Sequence, residues 1–209
     1  MNSSSNIKNP ISELTKRFHK IQENDPPYPV NSFLKYTNII EVQEAEFDFD
    51  GYAISIGGNK YIIGYNRNLY DHRRRFTCCH EIAHTLSFKG KVEERTNAEE
   101  ILCNRIAAEL LLPTNVFIEF ANKLEPSISS FLELSKIFRV SLEVVMWRIP
   151  GLDLWNINIA LWKPMDPDWP YGSYRLANIF RSGKMDYLLK KGYILDTESP
   201  AGLHSSYIN

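Results

Sequence analysis

Five consecutive residues carry the clearest chemistry in the chain: His80-Glu81-Ile82-Ala83-His84, an H-E-x-x-H run. On a helix, positions four apart share a face and are offset by roughly 6 Å of rise, so both imidazoles can reach one cation at about 2.0–2.1 Å. The glutamate after the first histidine falls beside the open coordination position, where its carboxylate can take a proton from bound water. Phe76, Cys79, Ala83 and Leu86 form an apolar stripe next to these residues, which suits a half-buried site. A catalytic zinc typically takes three protein ligands and keeps one position for water. Glu93, Glu94, Glu99, Glu100 and Glu109 are the downstream candidates for the third ligand. Thr96-x-x-Glu99 and Asn97-x-x-Glu100 each also fit a capping box, in which the glutamate would serve only a helix N-terminus. Both glutamates flank the same apolar arc of Cys103, Ile106, Ala107 and Leu110, so periodicity leaves the choice open.

Positioning these residues takes two helices and a surface to pack on. Asp71 can cap a helix that runs to about residue 88 and is closed by Gly90. The polar stretch KVEERT leads to a second helix over about 97–112, which Pro113 stops. Shorter helices are predicted at 114–123, 127–138 and 141–149, the last capped by Ser141. Upstream, Asn9-Pro10 opens a helix with Ile11, Leu14, Phe18 and Ile21 on one face. A Pro-rich loop at 23–29 and a short helix at about 30–36 follow. Residues 39–42, 52–56 and 60–65 read as strands, the last two joined by hairpin chemistry at Gly57-Gly58-Asn59. Pro150-Gly151 reads as a boundary. Beyond it Trp155, Ile157, Ile159 and Leu161 alternate with polar residues as in a strand, and a helix is predicted near 184–191.

The composition excludes several classes. Hydrophobic residues are 44% and charged residues 23% of the 209-residue chain, which is ordinary for a globular protein and unlike a disordered or collagen-like one. Lys and Arg number 24 against 25 Asp and Glu, a net charge of -1, so nothing global points to nucleic acid or an anionic membrane. The start, MNSSSNIKNP, lacks the apolar stretch of a secretory signal, and no run approaches the roughly 18 apolar residues that span a bilayer. The expected location is the cytoplasm. Cys78, Cys79 and Cys103 are an odd set, expected to be free thiols acting as small buried hydrophobes.

The run Phe76-Thr77-x-x-His80-Glu81-x-x-His84, followed by Glu100-x-x-Cys103-Asn104-x-x-Ala107-Ala108-Glu109-Leu110-Leu111-Leu112-Pro113, resembles the ImmA/IrrE metallopeptidases. The order upstream of it is similar too: helix, Pro-rich turn, helix, a strand bearing Gly51, a hairpin, then Arg73-Arg74-Arg75. The resemblance covers roughly residues 28 to 149. It implies gluzincin-like endopeptidases with His80, His84 and Glu100 as metal ligands and Glu81 as general base. It also implies Zn2+ as the metal, with Mn2+ an alternative, and a helix-turn-helix repressor as the protein cut, relieving repression in stress or mobile-element induction. Cys78-Cys79 stands where the family has an aliphatic-small pair, Cys103 where Ala is common and Ile106 where an aromatic is common; none of these is expected to touch a ligand.

The expected fold is α+β: a mainly helical, zincin-like core with a small antiparallel sheet, and a short C-terminal α/β appendage. The expected organisation is an N-terminal helix and loop (1–27), the peptidase domain (28–149) and a small C-terminal region (152–209). Tyr65, Tyr70, His72 and Arg75 are candidates for stabilising an oxyanion by nearness in sequence alone. Residues 127–149 can be read as helix-turn-helix, but Lys136, Arg139 and Arg148 against Glu133 and Glu143 leave only +1, which argues against direct DNA binding. Trp155, Trp162 and Trp169 suit the core of a small sheet better than a partner-binding face. The alternative function is a non-enzymatic regulator that binds a partner protein or DNA and keeps the metal for structure. A hydrolase of non-peptide substrates is a third.

Overall fold

The polypeptide from Ile39 to Asn66 forms a three-stranded sheet in which the last strand takes the centre. It is seen in a computed structural model that describes residues 10–87, 96–164, 173–181 and 194–196. Strand β1 (Ile39–Ala45) pairs with β3 (Tyr61–Asn66), as does β2 (Gly51–Ser55), in the order β1-β3-β2. The order follows apolarity. Tyr61, Ile63 and Gly64 of β3 are buried, whereas β1 carries Glu41, Gln43 and Glu44, a polar edge that discourages pairing with other chains. Between β2 and β3, Ile56 N–H donates to Lys60 O at 3.0 Å and Lys60 N–H to Gly57 O at 3.1 Å. Gly57, Gly58 and Asn59 all have positive φ there (88°, 59° and 58°), a region that glycine enters freely and Asn tolerates.

The expected sheet is present with one difference: it is mixed. β2 runs antiparallel to β3, but β1 runs parallel to it, from Ile39 opposite Tyr61 to Ala45 opposite Asn66. The hairpin returns its second strand between the other two, so β1 and β2 never pair. Alternation of side chains reports burial, not strand order, and could not show this.

Helix α4 (Asp71–Ser87) lies against β2 and β3, and α5 (Asn97–Leu111) lies against α4. Ile82, Ala83, Cys79, Cys103, Ile106, Ala107 and Leu110 are all fully buried. The small residues among them let the helices approach closely, and each buried Ile or Leu contributes about 1.5–3 kcal/mol relative to exposure. The N-terminal helix is broken rather than continuous: α1 (Pro10–Thr15), a 3-10 turn over Lys16–Phe18, then α2 (His19–Gln22). Thr15 Oγ1 donates to Ile11 O at 2.9 Å, a back-bond that bends helices. Phe18 stays buried even so, edge-on to Phe33 of α3 (Val30–Leu34) with ring centroids 5.5 Å apart.

After Pro113 come α6 (Thr114–Ala121), α7 (Ile128–Phe138) and α8 (Leu142–Gly151). Arg139 closes α7 with φ 53°, its N–H donating to Lys136 O and that of Val140 to Ser135 O, the paired bonds of a Schellman motif. A non-glycine residue is held in this conformation at both ends. Arg139 Nε donates to Asp71 at 2.7 Å, and Arg75 Nε donates to Arg139 O at 3.2 Å. Helix α8 runs through Pro150 to Gly151, past the expected stop. Pro150 sits in the last turn, where one missing donor ends a helix instead of kinking it.

The chain divides into two compact units. One holds the described residues up to Phe117 with Ser135–Ser141; the other holds Ile118–Leu134 and the described residues from Leu142 onward. The second contains an antiparallel sheet of β4 (Asn158–Pro164), β5 (Ser173–Arg181) and β6 (Ile194–Asp196). Its first strand starts later than alternation predicts, because Trp155 has φ 51° and packs edge-on against Phe131. Trp169 and the helix expected near 184–191 lie outside the described residues. The chain is α+β and mainly helical. No single helix among the described residues is long and apolar enough to cross a membrane.

Candidate metal centre

Helix α4 places His80 and His84 one turn apart, with Nε2 atoms 3.0 Å from each other. The carboxylate of Glu100, in the first turn of α5, meets both: Oε2 is 3.1 Å from His80 Nε2 and Oε1 is 3.5 Å from His84 Nε2. Ligand atoms of the three lie within 4.8 Å of one another. Donors held about 2.0–2.1 Å from one ion at tetrahedral angles lie about 3.4 Å apart, and these separations match.

The hydrogen bonds behind the ligands support the same use. His80 Nδ1 is 2.9 Å from Asn104 Oδ1. An amide oxygen only accepts, so the ring donates from Nδ1 and leaves Nε2 unprotonated, with its lone pair available. That lone pair faces a carboxylate oxygen, which is also an acceptor. Two acceptors at 3.1 Å repel unless a cation or a shared proton lies between them. Two imidazoles and one carboxylate are the donor set of a His2Glu zinc site, so these residues fit a divalent cation.

The alternatives for the third position sort themselves by what they bind. Glu99 closes a capping box: its Oε2 accepts from Thr96 N–H at 2.7 Å, and Thr96 Oγ1 accepts from Glu99 N–H at 3.3 Å. Glu109 accepts from the N–H and hydroxyl of Thr114 at 2.9 and 2.8 Å, at the start of α6. Glu93 and Glu94 lie outside the described residues. Glu100, adjacent in sequence to the capping glutamate, is the one brought to the histidines.

Glu81 is 3% exposed. A Cβ built on Gly51, at the start of β2, would stand 3.1 Å from Glu81 Oε1, 2.6 Å from Thr77 Cγ2 and 2.9 Å from Gly64 O. Any larger residue at 51 would push on the carboxylate or on backbone that cannot move, so the strand passes Glu81 at its closest approach only because residue 51 is glycine.

One expectation fails here. Cys103 was expected to touch no ligand, yet its Sγ is 3.4 Å from His84 Nδ1. The reason is helical geometry: Cys103 and Asn104 lie three and four residues after Glu100, hence on the face that α5 turns to α4. That spacing was visible in the sequence and would have assigned Asn104 its role behind His80. All three cysteines are free and buried. Burial, then the Glu81 charge, pushes the Cys78 thiol up to about 12, and burial raises Cys79 well above the usual range, as expected of inert thiols.

The oxyanion candidates are engaged elsewhere. Tyr65 donates to Glu44 at 3.4 Å, and Tyr70 is 80% exposed and stacks on His72. Arg75 holds the carbonyls of Arg139 and Tyr28. Tyr65 and Arg75 line, with Cys78, a cleft of about 260 Å3 that lies one turn of α4 before Glu81. Arg73 is paired with Asp50, and Arg74 with Glu44 and Asp71.

The Peptidase_M78 family, described as the IrrE N-terminal-like domain, matches residues 36–149, more than half of the 209-residue chain. No curated protein matches it. Among solved structures, a Mycobacterium tuberculosis transcriptional regulator shares the fold, with a TM-score of 0.51 at 12% identity over 85% of this chain. The present chain spans 56% of that structure's length. The matched residues hold α4, α5 and every side chain of the centre, and the chain belongs to the Peptidase_M78 family of IrrE N-terminal-like domains.

Proposed function

We propose that this protein is a metal-dependent endopeptidase of the cytoplasm that cuts a helix-turn-helix repressor, with His80, His84 and Glu100 holding Zn2+ or Mn2+ and Glu81 acting as the general base. The convergence of His80, His84 and Glu100 beside the buried Glu81 is the observation that supports this reading. A divalent cation held there would polarise a scissile carbonyl and lower the pKa of a bound water toward about 7. The chain's residues do the rest. Asn104 holds His80 in the tautomer that leaves Nε2 unprotonated. Gly51 leaves Glu81 room to approach from the strand side, and its carboxylate accepts the water proton and passes it to the leaving amine. The peptidase domain of this reading spans 28–149, and residues 152–209 are an appendage.

Glu81→Gln tests the mechanism. The variant should keep its metal and lose about 10²–10⁴-fold in cleavage rate, measured by mass spectrometry of a repressor substrate with Zn2+ or Mn2+. Undiminished proteolysis would remove Glu81 from the mechanism, and a metal-loaded wild-type protein that cuts nothing would favour a regulator with a structural metal.

A further inference from the structure

The sheet has two faces with different fates. Gly51 points at Thr77 and Glu81, so β2 residues 51, 53 and 55 face α4, and Ala53 is buried. Tyr52 and Ile54 therefore point away from α4. Tyr52 crosses β3 at Gly64, where no side chain intervenes, and its hydroxyl bonds Gln43 of β1. Phe47 and Phe49, from the loop before β2, stack on each other with centroids 5.1 Å apart, and both meet the Tyr52 ring edge-on. Phe49 is 53% exposed, Ile54 50% and Ile56 47%. A three-ring platform continued by aliphatic side chains is a large apolar surface to leave in water.

Its rim is of one sign. Residues 41–50 (EVQEAEFDFD) contain five carboxylates and no base. Asp50 and Glu44 are paired with Arg73 and Arg74. Glu41, Glu46 and Asp48 are exposed and form no ion pair among the described residues. Glu41 lies opposite Ile62, level with the platform. Electron-rich rings beside unneutralised carboxylates are complementary to guanidinium and ammonium groups borne on an apolar surface.

We propose that this outer face is a docking surface for a cationic protein and that its occupant is the basic surface of the repressor substrate, an inference that rests on the function proposed above. A helix-turn-helix protein must carry Lys and Arg to neutralise DNA phosphates, and off DNA it presents them freely. The platform is also joined to the centre along the chain: the loop bearing Phe47 and Phe49 ends at Asp50-Gly51, where the inner face of β2 meets Glu81. A protein held there lies across β2 from the catalytic carboxylate, which meets the opposite face of the strand at Gly51.

The test uses the full chain with Glu81→Gln, so that binding is read without cleavage. Its probes are a labelled peptide of alternating Arg and Leu and its Glu and Leu counterpart. The Arg peptide should bind and weaken with salt, and the Glu peptide should not. Glu46→Lys with Asp48→Lys should weaken the Arg peptide about tenfold, and Phe49→Ser should weaken it with metal content unchanged. Equal binding of both peptides, no effect of the charge reversal, or a dimer that Phe49→Ser dissociates would overturn the proposal. With otherwise wild-type enzyme, the charge reversal should raise KM for the repressor and spare kcat. An unchanged KM overturns the docking surface and leaves the function standing. A wild-type enzyme that cuts no helix-turn-helix repressor overturns the function and the identity of the occupant, whatever the peptides do.

Discussion

Helices α4 and α5 face each other across the candidate centre and furnish it by different means. Helix α4 brings His80, Glu81 and His84 by local spacing alone: one turn of any α-helix sets their mutual geometry. Helix α5 brings Glu100, Cys103 and Asn104, and nothing local says that this face, and not the one about 100° away, turns toward α4. Glu99 and Glu100 are chemically identical neighbours. One is absorbed by the N-terminus of its own helix and the other reaches across to the histidines. The difference teaches that a metal motif on one helix is half a site, and that the partner helix completes it by its rotation.

Substitutions on the two helices can break or sharpen this contrast. The largest effect is expected from His84→Ala and Glu100→Ala. Each removes a direct ligand donor, so each should cost more metal affinity than the roughly 10–100-fold that an outer hydrogen-bond partner is worth, as read by competition with a chelator. Glu100→Ala with full affinity would remove α5 from the centre. Asn104→Ala should fall in that 10–100-fold range, because it frees the tautomer of His80 without deleting a ligand; an unchanged affinity would show that the amide contact does not orient the ring. The smallest effect is expected from Glu99→Ala. It should lower thermal stability by about 1 kcal/mol through the broken capping box and leave metal affinity alone. A loss of metal in Glu99→Ala would reverse the assignment of the two glutamates.

The sequence was most legible where a local rule governs. The H-E-x-x-H helix, the hairpin at Gly57-Gly58-Asn59 and the α5 start at Thr96 follow from helical period, turn conformation and capping, each confined to a few residues. The break in the first helix at Thr15 and the late start of β4 after Trp155 were less legible. Both depend on one residue preferring a local bond or a ring contact over the regular element. The contact of Cys103 with His84 was missed for a correctable reason, since its spacing from Glu100 already placed it on the facing side.

By itself the sequence determined that two imidazoles share one helical face with a carboxylate next to the first of them in the chain, because backbone hydrogen bonding sets the helical period wherever a helix forms. It also marked the three strands of the first sheet, since burial on a pleated surface imposes alternation, but it did not mark β5 or β6. Only the tertiary structure decided that Glu100 joins the histidines, that Asn104 stands behind His80, that β3 slots between β1 and β2, and that Gly51 meets Glu81. These are contacts between segments distant along the chain. Their geometry is set by the packing of large side chains against one another, which no single stretch of sequence contains.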